Sequence, residues 1–215
     1  MSSRGARGRR GRKAQATLAL AGATMLGALS VAVDYSMEFS GLKDLMSSPW
    51  AMAFPFLSFL KFDFDGVPIL CATAFFGLTA GFLASVIMGL AIAIRASGLV
   101  ELVGAAMKAL AEASTIVGAY LALVKAKRAR GLWLSLGPLA RAAVMCLANL
   151  LVVPHLFQQP MAFVVGLMPL IALFNIIQGS ITTYLGMAVA FAVVKRAPHL
   201  LPEDAPILRG MRAPT

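Results

Sequence analysis

From residue 142 to 194 the chain reads AAVMCLANLLVVPHLFQQPMAFVVGLMPLIALFNIIQGSITTYLGMAVAFAVV, 53 residues without a single Asp, Glu, Lys or Arg. A helix that crosses a bilayer needs about 20 mostly apolar residues, so this stretch holds two. PHLFQQP, from Pro154 to Pro160, is the obvious place to divide them. The reading puts one helix at about 132–153 and the next at about 167–194.

Working towards the N-terminus, 101–124 reads as a further span that ends at the basic cluster KAKRAR, 125–130. Residues 66–94 carry no charge over 29 positions. As one helix they would extend about 43 Å against a hydrocarbon core of about 30 Å. FGLTAG at 76–81 supplies a glycine break, so two short helices are expected there. Residues 34–65 form a long outer connection rich in aromatics, and 15–33 form the first span. Residues 1–14 read as a basic disordered tail, because their composition offers too little apolar surface to fold. A basic stretch before an apolar run also describes a secretory signal, and Arg9 and Arg10 suggest a twin-arginine one. The length of the run and the spans that follow favour a retained helix. Residues 197–215 are Pro-rich and expected to be extended.

The expected fold is therefore an all-α integral membrane protein, with six transmembrane helices over 15–196 and a long outer loop after the first. Composition agrees: 60% of the 215 residues are hydrophobic and 13% charged, against about 45–50% and about 25% in soluble chains. The net charge of +10 would suggest nucleic acid in a soluble protein. Here fourteen of the 19 basic residues fall in 1–13, 125–130 and 195–215, and only Lys43, Lys61 and Arg95 fall on the opposite side. This positive-inside pattern places both termini in the cytoplasm of a cell that carries the chain in its plasma membrane. It also removes any need for nucleic acid. Cys71 and Cys146 lie in apolar runs and read as small core residues.

Catalytic signatures are missing. The chain has no G-x-x-x-x-G-K-[ST], G-x-S-x-G or H-E-x-x-H, and its two histidines, His155 and His199, sit beside prolines at span ends. Neither an enzyme nor a metal site is expected, and any ATPase must be another chain. Polar residues within the spans are the better clue. Asn175 and Gln178 share a helix face, with Thr182 and Thr183 beyond them, and Arg141 and Asn149 share another. They read equally as interhelical hydrogen-bond glue or as a ligand site open to the outer loop. Lys108 and Glu112, four apart, are expected to neutralise each other. Tyr35, Phe39, Trp50, Phe54 and Phe56 could wall or cover a ligand, or anchor at the interface. Ala19, Ala23 and Gly27, with Gly22 beside them, would let a helix approach closely, from a partner or from within the chain.

Three segments, FLKFDFDGVP (59–68), RAAVMCLANLLVVP (141–154) and PLIALFNIIQG (169–179), resemble the substrate-binding S component of energy-coupling factor (ECF) vitamin transporters, most closely the riboflavin-specific group. The resemblance implies capture of riboflavin from outside, as transported ligand rather than cofactor. Delivery would follow by toppling against a T component that carries two ATPases. It also implies that Lys61 meets the ribityl hydroxyls, that Asn149 and Asn175 bond the polar ring edge, and that Ala19 and Ala23 contact the T component. Gln178 departs from the group, which has a lysine there, and a neutral amide can still donate and accept at a flavin edge.

Overall fold

Runs of apolar residues separated by Gly and Pro fold in the computed structural model into helices joined by short connections. The structure describes residues 3–125, 134–202 and 204–211, and among them there is no strand. Helix α1 is Ser3–Phe39, α2 Leu42–Ala53, α3 Gly66–Phe76, α4 Leu78–Arg95, α5 Leu99–Lys125 and α6 Leu136–Leu156. Next, α7, Met161–Ser180, passes through a π turn, Ile181–Leu185, into α8, Gly186–Arg196, and α9 is Pro206–Met211. Five segments are long and apolar enough to cross a membrane: Gln15–Phe39, Leu78–Arg95, Leu99–Val124, Leu136–Leu156 and Met161–Arg196. The chain is thus a multi-pass membrane protein. The sixth apolar helix, α3, has 11 residues and a length of about 16 Å, so it cannot cross alone.

The division between α3 and α4 falls where FGLTAG predicts it. Gly77 adopts φ 95°, a conformation that strains any residue with a Cβ, and the helix axis restarts at Leu78. Elsewhere the structure alters the reading. The basic stretch expected to be disordered is backbone helix from Ser3; it contains no Pro, and Arg, Lys, Ala and Gln extend a helix that the apolar run already nucleates. The connection at 34–65, expected on the outer side, is mostly helical, because α1 continues to Phe39 and turns at Gly41 into α2. The last span begins at Met161 rather than near 167, which shortens the PHLFQQP interruption to residues 157–160. The C-terminal segment is not extended: Ala205 and Ile207, each 1% exposed, pack into the main core with Ile69, Leu70, Ile116 and Met187. The expected start of α6 at 132 and most of the KAKRAR cluster lie outside the described residues.

That core surrounds α3, of which Gly66 and Pro68 to Phe75 are buried. A second apolar cluster, Trp50, Leu57, Ile171 and Phe174, holds α2 and the turn after it against α7.

Candidate functional site

Between α5, α6, α7 and the segment leading into α3 lies a cavity of about 310 Å³. Volumes of about 300–1,000 Å³ are typical of small-molecule sites. Lys61 and Asp63 reach it from the connection, Lys108 from α5, Arg141 and Asn149 from α6, and Phe174 and Asn175 from α7. It shares Phe59, Lys61, Asp63, Glu101, Gly104 and Lys108 with a wider basin of about 820 Å³ beside it.

Three of the four residues expected to bind ligand therefore line one cavity. Asn149 donates its Nδ2 to the Met145 carbonyl at 2.7 Å, which leaves Oδ1 as an acceptor for a ligand. Asn175 is committed at both ends: its Nδ2 donates to Ile171 O at 2.8 Å, and its Oδ1 accepts from Arg141 Nε at 3.2 Å. It is interhelical glue as well as cavity wall. Lys61 keeps 38% side-chain exposure and pairs with Asp44 at 2.7 Å. Gln178 is fully buried and does not line the cavity. Its Nε2 donates to Asp63 O at 2.9 Å and Asp63 Oδ1 at 3.0 Å, so it positions the Lys61–Asp63 segment.

The expected Lys108–Glu112 pair is replaced by two pairings across the bundle. Lys108 pairs with Asp63 and stands 2.9 Å from Asp65 Oδ2, and Arg141 Nη1 donates to Glu112 Oε1 at 2.5 Å. Four residues apart on one helix, two long side chains can meet each other, but here each finds a buried partner of opposite charge on a neighbouring element. Burial pushes the Asp63 carboxyl up, yet Lys108, together with Lys43 and the hydrogen bonds it accepts, holds it down at about 2. Burial and the adjacent Asp63 charge push Asp65 well above the usual carboxylate range.

Beside the wider basin, α2 is fastened through Lys43 to buried Asp34. Asp34 accepts from Lys43 at 2.6 Å and from Arg95 at 2.9 Å, and Arg95 lies over the Tyr35 ring at 4.7 Å. Ser47 Oγ accepts the Phe62 N–H at 2.8 Å. Trp50 packs tilted against Phe54 and Phe174 and edge-on to Phe62, with ring centroids 4.8, 5.4 and 6.2 Å away. Of Tyr35, Phe39, Trp50, Phe54 and Phe56, only Phe39 borders the wider basin and none lines the cavity, whose rings are Phe59, Phe157 and Phe174.

On α1, Ala23 is fully buried and Ala19 half-buried. Gly22 and Gly27 face Phe76 and Ala84 to Ile87 of this same chain. Of the two alanines expected at a partner interface, Ala19 is the one with surface left to offer.

No family model and no curated protein matches the chain. Among solved structures it matches one described as the S component of a bacterial ECF transporter, at 23% identity, with 82% of this chain and 95% of that one covered and a TM-score of 0.59. The chain has the S-component fold. In this S-component fold the candidate ligand groups converge from three separate stretches of sequence. Sequence reasoning missed Asp63 and Lys108 as cavity residues and paired Lys108 wrongly. The signal available was the charge of Lys108, Glu112 and Arg141 within otherwise apolar spans.

Proposed function

We propose that this chain is the substrate-binding subunit of an ATP-driven vitamin uptake transporter of the ECF type, and that its ligand is riboflavin. The observation that carries this reading is that Lys61, Asn149 and Asn175, up to 114 positions apart in the chain, line one cavity in an S-component fold. The apolar walls from Met107, Met145 and Val152 and the rings of Phe59, Phe157 and Phe174 suit a flat aromatic ring. Asn149 Oδ1 suits its polar edge, and Lys61 at the rim suits a polyhydroxy chain. On this reading the termini face the cytoplasm, the cavity opens outside, and release follows association with a T component and two ATPases. The chain itself performs no catalytic step.

Purified from riboflavin-containing cells, the protein is expected to be yellow, with about one flavin per chain. Colourless protein that also leaves riboflavin fluorescence unquenched would remove riboflavin as the ligand. A second reading, a different vitamin or a nucleobase-like ligand, is favoured by Gln178, which stands where the riboflavin group has a lysine. Here that amide holds Asp63, whose charge Lys108 neutralises instead. Mass spectrometry of the copurified small molecule separates the two. A ligand-free assembly subunit would show no thermal shift with any vitamin.

A further inference from the structure

Beside the cavity, and sharing Asp63, Lys108 and Arg141 with its wall, lies a group of charges that includes Asp65 and Glu112, which do not line it. Asp65 and Glu112 are fully buried, Asp63 is 2% exposed, and one oxygen from each lies within 4.8 Å of the others. The cations that face them are Lys108, against Asp63 and Asp65, and Arg141, against Glu112. Were all three carboxylates ionised, two cations would leave one negative charge unbalanced among largely buried groups, which is costly; that burial, with the adjacent Asp63 charge, is what pushes the Asp65 carboxyl up.

Both Asp65 oxygens, Glu112 Oε2 and Thr182 Oγ1 have no hydrogen-bond partner there, nor does Thr183 Oγ1 in the same π turn; Asp65 Oδ2 has only its ion pair with Lys108 at 2.9 Å. Thr182 is the independent sign. A buried helical threonine commonly donates to a carbonyl one turn back, as Thr115 does to Ala111 O at 2.8 Å. Thr182 sits in the π turn and makes no such bond. Its Oγ1 instead approaches Gly66, where a Cβ would lie 2.6 Å from Thr182 Oγ1 and 2.3 Å from Glu112 Oε2. Only glycine at 66, next to Asp65 in the chain, leaves these two oxygens room to stand side by side.

We propose that Asp65, Glu112 and Thr182, with Asp63 alongside, form a binding site for one sodium ion. An all-oxygen donor set selects a hard cation. Oxygens that lie within 4.8 Å of one another are close enough to share one ion at about 2.4 Å each. With Asp65 ionised the charge deficit is one, so a divalent ion would over-neutralise the cluster, and sodium would take the place of the Asp65 proton. A proton on Asp65 would balance the charge yet leave Glu112 Oε2 and Thr182 Oγ1 buried without partners. Arg141 bonds both Glu112 and Asn175, so the ion and the cavity share a wall. The site itself stands whether or not the ligand beside it is riboflavin.

The test is thermal unfolding of the full chain in detergent, without vitamin, titrated with sodium chloride and balanced with choline chloride at fixed pH. The midpoint is expected to rise with sodium and saturate. Thr182→Val, which keeps the side-chain shape, should raise the half-saturating sodium concentration about tenfold, the effect of losing about one good ligand contact, and Thr182→Ser should restore it. Identical curves in sodium and choline would overturn the proposal. So would stabilisation that follows acidification alone, because a proton would then occupy the place assigned to the ion, or a Thr182→Val response equal to that of the parent. None of these results bears on riboflavin, whose binding is read separately by fluorescence.

Discussion

Replacing Arg141 with Met should be among the most damaging single changes in the bundle. The guanidinium is 4% exposed and the Glu112 carboxylate fully buried. One side chain serves Glu112 at 2.5 Å, Thr115 at 3.4 Å and Asn175 at 3.2 Å. Removing one partner of such a pair strands the other charge, at a cost of about 3–5 kcal/mol. In a chain of this size each kcal/mol moves the unfolding midpoint by about 2–4 °C, so Arg141→Met should lower it by about 6–20 °C. Glu112→Leu should do the same from the other side. The double variant Arg141→Met/Glu112→Leu leaves no stranded charge, and apolar replacements of buried pairs are often neutral, so it should recover most of the loss. The cycle is measured by thermal unfolding in detergent with choline chloride and no sodium, which keeps ion binding out of the comparison. If both single variants melt within about 2 °C of the parent, smaller than the shift of about 6 °C that a stranded charge requires, the pair is not buried as described. A double variant as unstable as the two losses added together would also refute the reasoning.

Asn149→Ala should weaken riboflavin quenching at least about tenfold, the equivalent of about one hydrogen bond, and leave the unfolding midpoint near that of the parent, because Oδ1 serves only the cavity; equal affinity would move Asn149 to a structural role. Trp50→Ala removes the ring packed on Phe62 and Phe174 and should cost about 3–5 kcal/mol, read as a lower midpoint together with faster proteolysis of residues 54–62. Ile207→Ala should cost about 2–5 kcal/mol if the segment after Pro202 fills the core as described, and an unshifted midpoint would show that it does not dock.

The parts of the fold set by hydropathy alone were readable: the apolar runs, their order and the break at FGLTAG. Helix ends were less so, because a helix can run past its apolar stretch. α1 gains Asp34 to Phe39 since Lys43 and Arg95 neutralise Asp34 from elsewhere in the chain. The long aromatic connection at 34–65 contains Pro49, yet a helix forms around that proline and buries Trp50. At the site, Lys61, Asn149 and Asn175 stood out as polar residues in recognisable surroundings. Asp63 and Lys108 did not, because the nearest opposite charge in sequence to Lys108 is Glu112, while the nearest in space is Asp63, 45 positions away. Gln178 was expected to bind ligand beside Asn175; in the structure it is buried against Asp63 and does not line the cavity. The oxygens of Asp65, Glu112 and Thr182 come from three elements that no spacing rule connects.

The burial of α3 has a mechanical consequence. A helix that touches lipid must adjust its tilt or length to the thickness of the bilayer, at a cost that grows with each ångström of mismatch. α3 is enclosed by α1, α4, α5 and α8, so its position is set by protein packing, and the charged residues just before it are held by that packing too. Changes in bilayer thickness should therefore be taken up by the long outer helices, leaving the cavity and the acidic cluster with the same geometry in thin and thick membranes.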